Sequence, residues 1–136
     1  MKVKAIIEAG KKPAFDINME YREDLPFGIL GQGDTLEEAK VDFINSYNEM
    51  IDLFEEQGRT FPPIEFEYLF DTASFLRYIS GTFTMSGLSK ITGINRKQLG
   101  HYIQGVSKPR PQTAARIQRD VLAYLEELTK IRFYSR

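Results

Sequence analysis

Residues Thr84 to Gly105 read TMSGLSKITGINRKQLGHYIQG, and no other stretch of this chain restricts its fold as tightly. Two short helical patterns flank a glycine. Thr84 is placed to cap a helix over Met85–Thr92, Gly93 to take the angles that end it, and Asn95 to cap a second helix over Arg96–Gln104. On the second helix Leu99, Tyr102 and Ile103 fall on one face, while Arg96, Lys97, His101 and Gln104 fall largely on the others. One face is therefore expected to pack and the other to reach outward, with Leu88 supplying an apolar contact and Ser89 a close approach. That is the layout of a helix-turn-helix that reads DNA.

Two core helices with a solvated outer face would produce a similar pattern, and the charge distribution separates the two readings. Residues 72–136 hold eleven Lys and Arg against three Asp and Glu; residues 1–71 hold seven against sixteen. A formal net charge of −1 thus hides two strongly and oppositely charged halves. A basic half suits phosphate neutralisation, and an acidic half suits a basic partner or a solvated surface.

The acidic half predicts a small sheet and one helix. Lys2–Ala9 and Ala14–Tyr21 alternate, the latter with Phe15, Ile17, Met19 and Tyr21 on one side and Asp16, Asn18 and Glu20 on the other. A short apolar piece at Ile29 and Leu30 leads to Gly31-Gln32-Gly33, which reads as a turn before a helix. It lacks the third glycine and the Lys-Ser/Thr ending of phosphate-binding loops. Thr35 and Glu38 have capping-box spacing, and Leu36, Ala39, Phe43, Tyr47 and Phe54 keep a helical period up to Gly58. Ile64, Phe66 and Tyr68 then alternate with Glu65 and Glu67. The expected order is β-β-β-α-β, followed by an all-α half that ends in a helix over Val121–Ile131, so the fold class is α+β with domains at 1–71 and 72–136.

Halves of about 70 residues have marginal cores, so mutual packing or a homodimer, or higher homo-oligomer, is expected. The 42% apolar content is that of a folded protein. Without cysteine there are no disulfides or thiolate metal sites. MKVKAIIEAG lacks the long apolar run of an export signal, and no stretch is long enough to span a bilayer, so a cytoplasmic location away from membranes is expected.

Two resemblances extend this reading. Leu88, Ser89, Gly93, Leu99 and Tyr102, with Gly105, Lys108 and Pro109, resemble the lambda-repressor-like (Xre-type) helix-turn-helix pattern over about residues 75–128. That resemblance implies operator DNA as a partner. Arg96 and Lys97, with His101 one turn later, would read base edges; Asn95, Gln104, Lys108 and Arg110 would correspond to phosphate and groove-edge contacts. Gly100 and Ile103 depart from the pattern, which usually carries side chains that can hydrogen-bond there. Gly33-Asp34-Thr35-Leu36-Glu37-Glu38-Ala39, after strands and before a long helix, resembles the signature of HicB antitoxins, whose N-terminal domain is a degenerate relative of ribonuclease H. The pairing implies an antitoxin of a type II toxin–antitoxin system. Its N-terminal domain would neutralise a HicA-like ribonuclease toxin, and its C-terminal domain would repress the operon. Asp24-Leu25-Pro26-Phe27-Gly28 is longer than the Asp-Leu-Pro-Gly usual there. A stand-alone regulator whose acidic half dimerises or senses a signal is the alternative.

An enzyme is not expected. A metal-dependent nuclease needs converging carboxylates, whereas Asp16 and Glu20 are expected to face solvent and Glu8 has no spacing that joins them. His101 has no carboxylate or second histidine at metal-ligand spacing. No catalytic residue, metal or cofactor is assigned.

Overall fold

In the computed structural model, which describes residues 1–135, the chain forms two compact units, Met1–Phe75 and Leu76–Arg136. The class is α+β, with a four-stranded sheet and five helices.

The first unit contains β1 (Lys2–Ala9), β2 (Phe15–Met19), β3 (Leu30–Gly33), α1 (Leu36–Glu56) and β4 (Glu65–Phe70). The strands lie in the order β3-β2-β1-β4, which is not their order along the chain. β1–β2 and β2–β3 are antiparallel, while β4 joins β1 in parallel, a pairing that requires the crossover supplied by α1. The register sets Ala5 against Met19 and Ile7 against Ile17, and also Val3 against Phe66 and Ala5 against Tyr68. Strand alternation therefore collects Val3, Ala5, Ile7, Phe15, Ile17 and Met19 on one face, where they are buried beneath Leu36, Ala39 and Phe43 of α1. Thr35 caps α1 by accepting from Glu38 N at 3.1 Å, and Glu38 Oε2 accepts from Asp34 N at 3.1 Å.

Gly31-Gln32-Gly33 is a strand rather than the expected turn. A Cβ on Gly31 would lie 2.5 Å from Phe43 N and 2.6 Å from Ala39 O, and one on Gly33 would lie 2.5 Å from Ala39 N. The two glycines bring an edge strand against the helix backbone, a close approach that alternation cannot reveal. The edge is tied down further, because Gln32 N donates to Asp42 Oδ2 at 2.9 Å.

β2 is shorter than its alternation predicts. After Met19 the chain leaves the sheet, and Tyr21 is 87% exposed rather than part of the apolar face. Aromatic rings close the other end of the unit: Phe61 stacks on Phe27 at 5.1 Å and meets Phe54 and Tyr47 edge-on at 5.0 and 5.5 Å.

The helices that follow are α2 (Thr72–Ile79), α3 (Met85–Thr92), α4 (Arg96–Gln104) and α5 (Pro111–Thr129). The division between the units falls four residues later than expected, inside α2. Asp71 accepts from Ser74 N at 2.8 Å and Ser74 Oγ donates to Ile7 O at 2.8 Å, so the first turn of α2 belongs to the sheet unit. In the second unit Leu76, Leu88, Leu99, Tyr102, Ile117 and Val121 are buried. α5 starts ten residues before the expected Val121, with Pro111 at its first turn, where a missing N–H is harmless. Among the described residues no helix is long and apolar enough to cross a membrane.

Candidate nucleic-acid interface

The boundaries of α3 and α4 follow from their caps. Thr84 Oγ1 accepts from Gly87 N at 3.0 Å, and Asn95 Oδ1 accepts from Gln98 N at 2.8 Å. Between them Gly93 adopts φ 72° and ψ 10°, left-handed angles that L side chains rarely adopt. Its N–H donates to Ser89 O at 2.8 Å. Thr92, buried, returns its hydroxyl to Leu88 O at 2.8 Å and accepts from Ile94 N at 3.3 Å, which fixes the three-residue connection.

α4 buries Leu99 and Tyr102. Opposite them the helical period places Lys97, Gly100, His101 and Gln104 at i, i+3, i+4 and i+7, with Arg96 at the margin. Arg96, Lys97 and Gln104 are exposed, and His101 is half-buried. Neither Arg96 nor Lys97 forms an ion pair among the described residues. Lys108 and Arg110 are also exposed, just beyond the left-handed Gly105 (φ 74°) that ends α4. Asn95 is exposed, but its carbonyl oxygen is committed to the cap. Ile103, expected on the packed face, is half-buried, and a Cβ on Gly100 would meet nothing within 4 Å.

Four residues that hold this face in place are not evident from sequence. Arg116 of α5 donates from Nη2 to Thr92 O at 2.7 Å, so its guanidinium occupies the space a Cβ on Gly93 would need. Arg77 of α2 donates from Nη2 to Ile103 O at 2.8 Å, placing a cation where the dipole of α4 is negative. Gln98 Nε2 donates to Ser107 Oγ at 3.1 Å and draws the segment after Gly105 back against α4. Arg116 and Arg77 would read from sequence as surface cations; only the open carbonyls at helix ends hint at partners for them.

Electrostatically this face lacks opposition. Residues 72–119 contain no Asp or Glu, and all three carboxylates of the second half lie at Asp120, Glu126 and Glu127. A polyanion approaching α4 meets the positive end of a helix dipole and uncompensated cations.

No family model, curated protein or solved structure matches the chain. Geometry and charge therefore carry the functional argument.

The first unit offers surfaces of the opposite sign. Glu37, Glu38, Asp42, Glu49, Asp52, Glu55 and Glu56 are exposed along α1, and none forms an ion pair among the described residues. In the loop after β2, Arg22 grips both carboxylate oxygens of Asp24 at 2.9 and 2.8 Å and donates to Lys2 O at 3.1 Å. That hydrogen bonding holds the Asp24 carboxyl below its ordinary range. Leu25, the second residue of the lengthened Asp24–Gly28 stretch, is buried.

Of the carboxylates weighed for catalysis, Glu8 and Asp16 are set opposite each other by the β1–β2 register, a pairing that spacing along the chain does not suggest, while Glu20 Oε1 accepts from Lys4 N at 3.0 Å. Asp16 does not point freely to solvent as expected: it is half-buried, and its Oδ1 is buried without a hydrogen-bond partner. No group of three or more His, Asp and Glu among the described residues is arranged to hold a metal ion.

Proposed function

We propose that the chain is a DNA-binding repressor in which α3 and α4 act as a helix-turn-helix, with the outer face of α4 entering the major groove. One observation carries this reading. Two capped helices joined through a left-handed glycine present Lys97, His101 and Gln104 on a single face, within a stretch, residues 72–119, that contains no acidic residue. Arg96 or Lys97 would contact base edges, while Gln104, Lys108 and Arg110 would contact phosphates and the groove edge. Asn95 contributes mainly as the cap that starts the reading helix.

The acidic unit is proposed to bind a basic protein, and the resemblance to HicB antitoxins makes a HicA-like ribonuclease toxin the first choice. Exposed carboxylates along α1 that form no ion pair among the described residues support this, because complementary charge accelerates encounter with a cationic partner. The protein would then work in the cytoplasm as antitoxin and autorepressor, without catalytic activity or cofactor of its own. A stand-alone regulator would keep the same DNA chemistry but lack the basic partner.

Operator binding by the full-length protein tests the DNA reading. If Lys97 makes a bidentate base contact, Lys97→Ala costs about 1 to 3 kcal/mol on the preferred site and relaxes one base position. An equal loss on all sequences would make it a phosphate contact, and no salt-dependent DNA affinity in the wild type would end the DNA reading. Co-purification with a short basic protein encoded beside this chain separates antitoxin from stand-alone regulator.

A further inference from the structure

Between the end of α4 and the start of α5 the chain forms a short strap, residues 107–110, in which exposure alternates. Ser107 and Pro109 are half-buried, while Lys108 and Arg110 are exposed. The strap is stiff for a reason written in its sequence: Lys108 and Arg110 each precede a proline, which confines both to extended backbone, and the ring of Pro109 fixes its own φ. Arg110 shows the outcome, at φ −64° and ψ 156°. A stiff segment carries its two cations as one body, so its ends decide where they stand.

The far end is held by a helix, because Arg110 O accepts from Ala114 N at 2.9 Å in the first turn of α5. The near end has weaker backbone support. Gly105 reverses the chain, Val106 N donates to His101 O at 2.9 Å, and Ser107 N reaches the same carbonyl only at 3.4 Å. Among the described residues, the side-chain bond that ties the strap to α4 is Gln98 Nε2 to Ser107 Oγ, at 3.1 Å. Gln98 directly follows Lys97, and its own N–H is held by the Asn95 cap at 2.8 Å. One residue is thus fixed by the cap that starts the reading helix and in turn fixes the strap.

We infer that Gln98 is a positioning residue: through Ser107 it sets Lys108 and Arg110, as phosphate contacts, at a fixed distance from the base-reading side chains of α4, without touching DNA itself. The inference rests on the DNA-binding reading and adds a division of labour to it. Loss of Gln98 removes phosphate contacts and leaves base recognition in place.

Affinity of the full-length protein for its preferred site, measured against salt, tests this role. Each phosphate neutralised adds nearly one unit to the slope of log affinity against log salt. Gln98→Ala and Ser107→Ala are each expected to weaken binding about tenfold and to lower that slope by about one to two, with the preferred bases and far-UV circular dichroism unchanged. In a protein already carrying Lys108→Ala and Arg110→Ala, adding Gln98→Ala should change affinity by less than about twofold, because the cations it places are gone. Without DNA, the amides of Val106 and Ser107 should exchange with solvent faster in Gln98→Ala than in the wild type. Unchanged exchange, an unchanged salt slope or an altered base preference overturns the positioning role. The failures are distinguishable: a wild type with no salt-dependent DNA affinity ends the repressor reading and this role with it, whereas a wild type that binds while both single variants keep its slope ends this role alone.

Discussion

The acidic and basic units achieve order by different means. In the acidic unit the contacts that define the fold are distant in sequence: β4 pairs with β1 across more than 55 residues, and Phe43 sits beneath rings from β4 at 4.9 and 6.1 Å. In the basic unit the structure is set locally, by Thr84, Asn95 and two left-handed glycines, with a small core of mostly aliphatic residues. A sheet unit built on distant contacts depends on the fit of a few large residues, whereas a unit of short helices depends on how each helix begins and ends. Functionally, the first suits a broad rigid face, and the second suits precise presentation of a few side chains.

Removing the largest core residue should break the acidic unit first. Phe43→Ala is expected to lower its stability by about 3 to 5 kcal/mol, read in urea unfolding, while the circular dichroism of the helical unit persists. A cooperative loss of both units would show that the local order of the basic unit is not self-sufficient. Crowding the β3–α1 contact should have a smaller effect: Gly31→Ala places a methyl against the backbone of Phe43 and should cost about 1 to 3 kcal/mol. A neutral outcome would mean that the edge strand shifts freely, and that the sheet is less exacting than the glycines imply.

In the basic unit the corresponding weak point is a cap. Asn95→Ala should cost about 1 kcal/mol in thermal unfolding and should weaken DNA binding alongside Lys97→Ala. Unchanged unfolding would deny the cap its role. Last, Gly100→Ala should stabilise α4 by about 0.5 to 1 kcal/mol, because the added methyl meets open space. A destabilising outcome would place an unseen neighbour over that face.

What the sequence revealed divides along the same line. The limits of α3 and α4 are legible because Thr84, Gly93, Asn95 and Gly105 act on their immediate neighbours. β1, α1 and β4 are legible because alternation and helical period report burial directly. The parallel pairing of β4 on the far side of β1 is not, since register between distant strands leaves no local mark. The role of Gly31 and Gly33 hides for the same reason: the helix they accommodate lies beyond the turn that their spacing suggests. At the candidate interface Arg96, Lys97, Gln104, Lys108 and Arg110 lie exposed as expected, because helical period and polarity place them outside. Arg116, Arg77, Gln98 and Ser107 escaped detection because their partners are backbone carbonyls or each other, on elements that meet only after folding.

The central position of β1 also imposes an order on biosynthesis. The first of the four strands to be synthesised is paired on both sides, and its second neighbour ends at Phe70. A nascent chain that has delivered β1, β2, β3 and α1 therefore still exposes one edge of β1, and Val3 and Ala5 lack Phe66 and Tyr68 beside them. The sheet closes only when Phe70 has been made, and translation delivers the cationic helices after that point. Any partner drawn to that unit meets a finished surface before the helices that follow it exist.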